Sequence, residues 1–207
     1  MTRFMYDSVT AGDIPNDATM VAAYVDGHYR NIDAIRKRFP HALVVGIAVD
    51  ARTNDGIVLD VEQGDATPTE SVAWVVKRRH AGKDPSVYCS VSEWNAVRAA
   101  FHDAGVEQPH YWVAHYDGVA SVPKGAVAKQ FKPGSAAHHY DISVVSTYWP
   151  GVDPHPSGRK DAYVVVKKGD TLSGIAASNH LTLTQIEKLN PQIKHPDWIY
   201  PGQHVYV

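Results

Sequence analysis

One stretch, Ile57-Val58-Leu59-Asp60-Val61-Glu62-Gln63-Gly64, constrains the rest of the chain most: a run of strand formers carries two carboxylates two residues apart and stops at a glycine. In a β-strand residues i and i+2 point to the same face, so Asp60 and Glu62 share one wall while Leu59 and Val61 aim at the other. A parallel strand is normally apolar on both faces, and carboxylates at its end are costly unless something uses or neutralises them. Alone, Asp-x-Glu fits a solvated strand end. Set in the right surroundings it fits a pair that cleaves a glycosidic bond, one carboxyl protonated as general acid and the other anionic beside an oxocarbenium-like centre.

The surroundings alternate strand and helix over the first half of the chain. Phe4-Met5-Tyr6 and Met20 to Val25 read as strands, and Asp7 is again an acid at a strand end. Asn31 caps a helix whose Ile32, Ile35 and Phe39 share a face and which Pro40 stops. Ala42 to Val49 is a buried strand, and the polar link Asp50 to Asp55 leaves no room for a crossover helix. Thr67-Pro68-Thr69-Glu70 is a capping box opening a helix with Val72, Val75 and Val76 inward, Lys77-Arg78-Arg79 as a solvated basic end and Gly82 beyond it. After the strand Ser86 to Cys89, Ser90-Val91-Ser92-Glu93 caps a helix with Trp94, Val97, Phe101 and Ala104 as its apolar stripe. Three strands without intervening helices follow, Tyr111 to Tyr116, Ala126 to Phe131 and Tyr140 to Val145. About eight strands with helices on part of the circuit predict an α/β fold, an irregular, shortened TIM-like β/α barrel, in which polar residues at strand C-termini are the catalytic candidates. Asp141 lies near a strand start, so its place in a shared site depends on that strand's direction.

These motifs resemble, in order, those of the glycoside hydrolase family 25 lysozymes: Asp7-Ser8, Leu59-Asp60-Val61-Glu62, Val87-Tyr88-Cys89-Ser90, Tyr111-Trp112-Val113-Ala114-His115-Tyr116, Lys129-Gln130-Phe131 and Tyr140-Asp141-Ile142-Ser143. The resemblance covers about the first 150 residues and implies five β/α units with three trailing strands and N-acetylmuramidase activity, cutting the β-1,4 bond between N-acetylmuramic acid and N-acetylglucosamine in peptidoglycan. By position it makes Glu62 the general acid, Asp60 its partner that orients the substrate or its acetamido group, and Asp7 and Asp141 the further carboxylates. Tyr24, Tyr88, Trp112 and Gln130 would line the sugar cleft. The chain is shorter than the family between Asp7 and Asp60 and is similar to a shortened actinobacterial and actinophage branch, endolysin-like. A non-catalytic wall-binding protein, or a glycosidase for another wall glycan, is the alternative. Of four acids on one cleft the most desolvated should keep its proton near neutral pH, and the longer Glu62 is expected to be that one.

Pro150 to Lys160 has proline, glycine and charge but no periodicity, so 151–161 reads as a linker able to span roughly 30 Å at about 3.1 Å per residue. Residues 162–207 then give strand, helix, helix, strand: Tyr163-Val164-Val165 before Lys168-Gly169-Asp170-Thr171-Leu172, a capping box at Thr182-Leu183-Thr184-Gln185, Asn190-Pro191 as a stop, and Trp198 to Val207 as a return strand. The Gly-Asp-Thr-Leu, Leu-Asn-Pro and Ile-Tyr-Pro-Gly-Gln motifs resemble a LysM domain. That resemblance places N-acetylglucosamine-containing glycan against Gly169, Asp170, Thr171 and Leu172 on one side and Asn190, Pro191, Gln192 and Ile193 on the other.

Composition narrows the partners. Of 207 residues 44% are hydrophobic and 20% charged, and a net charge of -2 without a basic run gives no field for nucleic acid. Cys89 is the single cysteine, so no internal disulfide forms, and Met1 to Asp7 reaches an acid before any apolar signal core. The expectation is synthesis in a host cytoplasm without a Sec signal, action at the cell wall, no membrane span and a monomer. His80, His115 and His138-His139 lack zinc spacing, so no metal or cofactor is expected.

Overall fold

The computed structural model describes residues 2–134, 139–154 and 163–207. Eight strands close into a barrel in sequence order: β1 (Arg3–Asp7), β2 (Met20–Tyr24), β3 (Leu43–Ala48), β4 (Val58–Val61), β5 (Ser86–Ser90), β6 (His110–Ala114), β7 (Ala128–Pro133) and β8 (Asp141–Val145). Neighbours from β1 to β7 are parallel, whereas β8 is antiparallel to both β7 and β1. That reversal settles where Asp141 lies. A strand that runs backwards starts at the end where the others finish, and Asp141 is the cross-strand partner of Asp7.

Among the described residues helices stand in three crossovers, α1 (Ile32–Arg38) after β2, α2 (Pro68–His80) after β4 and α3 (Trp94–Asp103) after β5, while a 3-10 turn at Ala11–Asp13 follows β1. The five β/α units implied by the family resemblance are thus reduced to three. The barrel interior is filled from all sides, with Met5, Met20, Val45, Ile47, Val58, Trp112, Val145 and Trp149 in one buried cluster. Outside, Trp74, Val75, Val97 and Phe101 pack α2 and α3 onto Leu59, Val87 and Val113, while Ile32, Ile35 and Phe39 pack α1 onto Val21 and Ala23. Each such side chain, fully buried, contributes about 1.5–3 kcal/mol.

The β3 to β4 connection is the least ordinary part, a parallel crossover with no helix. Parallel neighbours usually need a dozen or more residues to reconnect. Here Gly56, at φ +76, lets the chain press against β3, where an added Cβ would meet Ala48 N at 3.1 Å and Gly46 O at 3.2 Å. The basic run of α2 supplies the rest. Arg78 is 6% exposed, and its guanidinium donates to the Asn54 carbonyl at 2.6 Å and the Gly56 carbonyl at 2.6 Å, while Lys77 Nζ donates to the Arg52 carbonyl at 2.9 Å. Arg79, also buried, donates to the Glu107 and Gln108 carbonyls. The solvated basic end read from Lys77-Arg78-Arg79 is corrected accordingly: a planar guanidinium can satisfy several loop carbonyls at once, which makes its burial tolerable.

Other local readings shift for similar reasons. The capping box at Thr67 and Glu70 is present in both directions, but the inward face of α2 is Ser71, Trp74, Val75 and Arg78, with Val72 and Val76 only half-buried. Ser90 bonds the Glu93 amide in a turn that precedes α3, which begins at Trp94 without a side-chain cap, and Ala104 is exposed. At the end of the barrel Trp149 is fully buried with its indole on Ser86 Oγ, and Asp153 accepts from the Trp149 amide and, bidentately at 2.7 Å, from Arg3. The first residues read as linker, Pro150 to Asp153, therefore belong to a turn tied to the barrel; 155–161 lie outside the described residues.

Residues 163–207 form β9 (Tyr163–Val165), α4 (Leu172–Ser178), α5 (Leu183–Leu189) and β10 (His204–Tyr206), with β9 and β10 antiparallel over a core of Val166, Leu172, Ile175, Ile186 and Val205. Only His204–Tyr206 of the expected return strand pairs; Trp198 and Tyr200 are exposed in the preceding loop. Among the described residues no helix is long and apolar enough to cross a membrane.

Arg78→Ala strands the carbonyls of Asn54 and Gly56 in the crossover beneath β4. It should lower unfolding free energy by about 2–4 kcal/mol, measured by urea denaturation, and a loss under about 0.5 kcal/mol would show that the link holds itself.

Candidate active site

The mouth of the barrel at the C-terminal ends of β1 to β7 holds a cleft of about 160 Å³ lined by Asp7, Tyr24, Ile47, Asp60, Glu62, Tyr88, Trp112, Tyr116, Gln130 and Asp141. All eight strands and the segments just beyond β4 and β6 supply these groups, so residues from Asp7 to Asp141 meet only because the barrel closes. All eight barrel residues singled out in the sequence line this one cleft. Asp60 and Glu62 open onto it together, as their i, i+2 spacing requires. Tyr116 and Ile47 were not singled out. Tyr116 was nonetheless readable, because Trp112, Ala114 and Tyr116 share the inward face of one strand by the same alternation.

Four carboxyls meet here, and among the described lining residues there is no lysine or arginine. Asp7 is 6% exposed, and Gln130 Nε2 donates to both its oxygens at 3.2 and 3.3 Å. Gln130 Oε1 in turn accepts from the Tyr88 hydroxyl at 2.6 Å, which fixes the amide so that its nitrogen faces the acid. Asp60 is 5% exposed and its Oδ1 has no hydrogen-bond partner among the described residues. Trp112 forms the floor, 1% exposed, with its indole N–H engaged by Ser143 Oγ at 2.9 Å. It shapes the cleft from beneath and offers little open face to a ring.

Desolvation without a counter-cation holds protons on the cluster. Burial, with the charge of Asp141 added and the Gln130 bond opposing, pushes Asp7 up to about 7. Burial and then Glu62, Asp65 and Asp7 push Asp60 up to about 8. Glu62 is raised by burial and by Asp65 and Glu93, against which the Tyr88 hydroxyl acts. Asp141 is raised by burial, with a hydrogen bond to Tyr116 opposing. The expectation that Glu62 is the most desolvated acid is corrected: it is only half-buried, whereas Asp7 and Asp60 are the deep pair. The shorter side chains stay behind in the wall, and the longer one reaches toward solvent.

In the segment 163–207 the expected glycan contacts divide by burial. Leu172 is core, and Asn190 is fully buried, donating to the Ile186 and Tyr206 carbonyls and accepting from the Tyr206 amide. Asp170 closes its turn by accepting from the Lys167 amide at 2.7 Å, and Thr171 caps α4. Gly169, Thr171 and Pro191 are exposed, and Asp170, Gln192 and Ile193 are half-buried. Among the described residues no group of three or more histidine, cysteine or acidic side chains is placed to hold a metal ion; His138 lies outside those residues.

With this geometry in place, three comparisons with known proteins bear on the chain. Residues 164–207 match the LysM domain family. An endolysin of Bacillus phage B103 is 50% identical over 40 residues, 19% of this chain and 15% of that protein. A chlorophenol reductase of Desulfitobacterium hafniense is 43% identical over 58 residues, 28% of this chain and 17% of that protein. The chain thus spans under a fifth of the length of either curated relative. A crystal structure of an uncharacterized B. stearothermophilus protein resembles 70% of this chain and 96% of its own, with a TM-score of 0.51 at 13% identity, a likeness of fold. The chain is a LysM-containing cell-wall protein in which a closed α/β barrel precedes the LysM domain.

The raised acids give stability a pH dependence of definite sign. A carboxyl whose folded pKa exceeds its unfolded value favours folding below about pH 4, and that contribution is lost as pH rises through the folded pKa, here about 7 to 8. Asp60→Asn removes the deepest part of this cost. The variant should exceed the wild type in stability by about 1–3 kcal/mol at pH 9, the gap closing toward pH 5, as read by denaturant unfolding at both values. A variant less stable at pH 9 would mean that the Asp60 carboxyl is held by a partner.

Proposed function

We propose that the protein is a peptidoglycan hydrolase that cuts the β-1,4 glycan strand between N-acetylmuramic acid and N-acetylglucosamine, with the LysM domain holding it on the wall. The barrel is read as the shortened, TIM-like form of a family 25 lysozyme. The observation that carries this reading is the meeting of Asp7, Asp60, Glu62 and Asp141 in one polar cleft at the strand C-termini. Such an arrangement lowers stability and makes sense as catalytic equipment.

Glu62 is the general acid in this mechanism, because its half-buried carboxyl is the one that reaches the leaving-group oxygen from the wall. Its upshift keeps a fraction protonated and ready for transfer. Asp60, holding its own proton behind Glu62, presents a donor that can orient the acetamido carbonyl of the sugar. Asp7 and Asp141, paired across β1 and β8, favour the positive charge that develops at the anomeric carbon whenever either is ionised. Because the four interact, their protons belong to the cluster, and the pH profile reports shared values. LysM domains bind N-acetylglucosamine-containing glycans, and here the exposed turns at Gly169 to Thr171 and Pro191 to Gln192 would offer backbone groups to the acetamido functions. Tethering raises the effective concentration of substrate at the barrel.

The cleft is small beside the roughly 300–1,000 Å³ usual for ligand pockets, which favours a single enclosed sugar and keeps a non-catalytic wall binder as the competing reading. Chemistry separates the two. Purified peptidoglycan should yield new reducing ends, with muramic acid at the new end; release of amino groups instead would mark an amidase or peptidase, and neither product a binder. Glu62→Gln should lower turnover by about 10²–10⁴-fold with little change in unfolding midpoint, and near wild-type activity in that variant refutes the role.

A further inference from the structure

The LysM domain is docked on the barrel, and the seam between them is not closed. The Tyr163 hydroxyl occupies the place a Cβ would take on Gly82, His204 Nε2 lies 3.0 Å from the Arg79 carbonyl, and Gln203 Nε2 donates to Glu107 Oε1 at 3.2 Å. These contacts fall after α2 and before β5 and β6, at the end of the barrel opposite the carboxylate cleft. Beside them opens a second cleft of about 520 Å³, within the range of ligand pockets and larger than the one at the barrel mouth. Its barrel wall includes Glu107, Gln108 and His110, and its LysM wall includes Pro191, Gln192 and Lys194. Pro191 and Gln192 belong to the loop that the glycan-binding reading already uses. The cleft therefore adjoins that loop.

The two walls carry charges of both signs, with Arg79, Asp84, Glu107 and His110 on the barrel side and Lys194 on the LysM side. Glu107 makes its direct hydrogen bond to a neutral amide, Gln203, because the nearby Arg79 guanidinium is directed at the Glu107 and Gln108 carbonyls. Asp84, by contrast, has His110 at 3.2 Å. Lys194 Nζ donates to the Pro191 carbonyl at 2.9 Å and has two further N–H groups, and among the described residues it faces no carboxylate within ion-pair distance. The Glu107 carboxyl on the barrel wall, in the field of Arg79 but hydrogen-bonded to an amide, and the Lys194 ammonium on the LysM wall therefore line one cavity. Beside the amides of Gln108, Gln192 and Gln203, which suit a sugar, the lining offers charged groups that suit a ligand with both signs of charge.

We propose that this cleft binds a short peptide carrying both an ammonium and a carboxylate, of the kind appended to the glycan of the wall, with its ammonium toward Glu107 and its carboxylate toward Lys194. The inference rests on the glycan-binding reading of the LysM domain and adds to it that the barrel supplies half of the recognition. The docked arrangement would then prefer strands that still bear their peptides.

The test uses the full chain in a Glu62→Gln background, so that ligands survive, with isothermal titration of two probes: an N-acetylglucosamine–N-acetylmuramic acid tetrasaccharide with its peptide stems and the same sugar stripped of them. The stemmed probe should bind about tenfold more tightly. Glu107→Gln, which preserves an acceptor for Gln203, and Lys194→Gln should each remove most of that advantage while leaving affinity for the bare sugar and the unfolding midpoint unchanged. Equal affinity for both probes, or an advantage that survives both substitutions, overturns the cleft proposal while the LysM reading stands. Binding of neither probe overturns both.

Discussion

The antiparallel pairing of β8 with β1 is the constraint on which the rest of the structure depends. Closing a barrel removes the exposed edges of β1 and β7, which would otherwise offer unpaired amides and carbonyls. Closing it with a reversed strand does something more specific, because it delivers the start of β8 to the mouth and sets Asp141 beside Asp7. Like charges placed opposite each other across strands destabilise a sheet, so the register is kept by other contacts. Those lie along the rest of the strand and at its far end, where Val144 and Val145 are buried and Arg3 reaches the Ser146 and Thr147 carbonyls and Asp153. The two ends of β1 thus differ in kind: one holds the closure, and the other carries the strain that the closure makes possible.

That strain has a local explanation in how the acids are surrounded. A buried carboxylate is tolerated when donors or cations replace its hydration. Asp7 has only the Gln130 amide, and Asp60 Oδ1 has no such partner among the described residues. Among the described residues no cation lines the walls around them, so a proton is the cheapest compensation, and the pair is raised toward neutrality for that reason. Elsewhere the chain does supply compensation. Asp117 meets Lys129 at 2.9 Å, and Asp153 meets Arg3. Cations are thus available in the fold, and among the described residues none lines the mouth.

Much of this was legible because short-range rules act on single strands and turns. The i, i+2 spacing of Asp60 and Glu62 put both on one wall, and the capping boxes at Thr67 and Thr182 fixed two helix starts without reference to anything distant. What periodicity could not show was which neighbour a side chain meets. Arg78 has the pattern of a solvated helix end and is buried because the chain opposite it, Asn54 to Gly56, lacks a helix and presents bare carbonyls. Relative depth among the acids was misjudged for the same reason. Side-chain length says how far Glu62 can reach, but the depth of Asp7 is set by Gln130 and Tyr88, which lie far away in sequence. Strand direction is the extreme case, since nothing in Tyr140-Asp141-Ile142-Ser143 records that β8 runs backwards.

The seam between the two domains follows the same logic one level up. A proline- and glycine-containing connection argues for independent motion, because tethering alone costs little entropy and imposes no orientation. Orientation comes from surfaces, and here it comes from residues whose first duty is internal. Gln203 precedes β10 and His204 opens it, Arg79 lies in the last turn of α2, and Glu107 follows α3. The seam is where polar groups of these residues meet, through His204 on the Arg79 carbonyl, which also accepts from the Gly82 amide, and Gln203 on Glu107. Polar contacts of this kind resemble those of a transient interface, in which relative motion is the default. A ligand that touched both walls would favour the docked arrangement by its differential affinity alone, and the same coupling would make docking strengthen the ligand's hold.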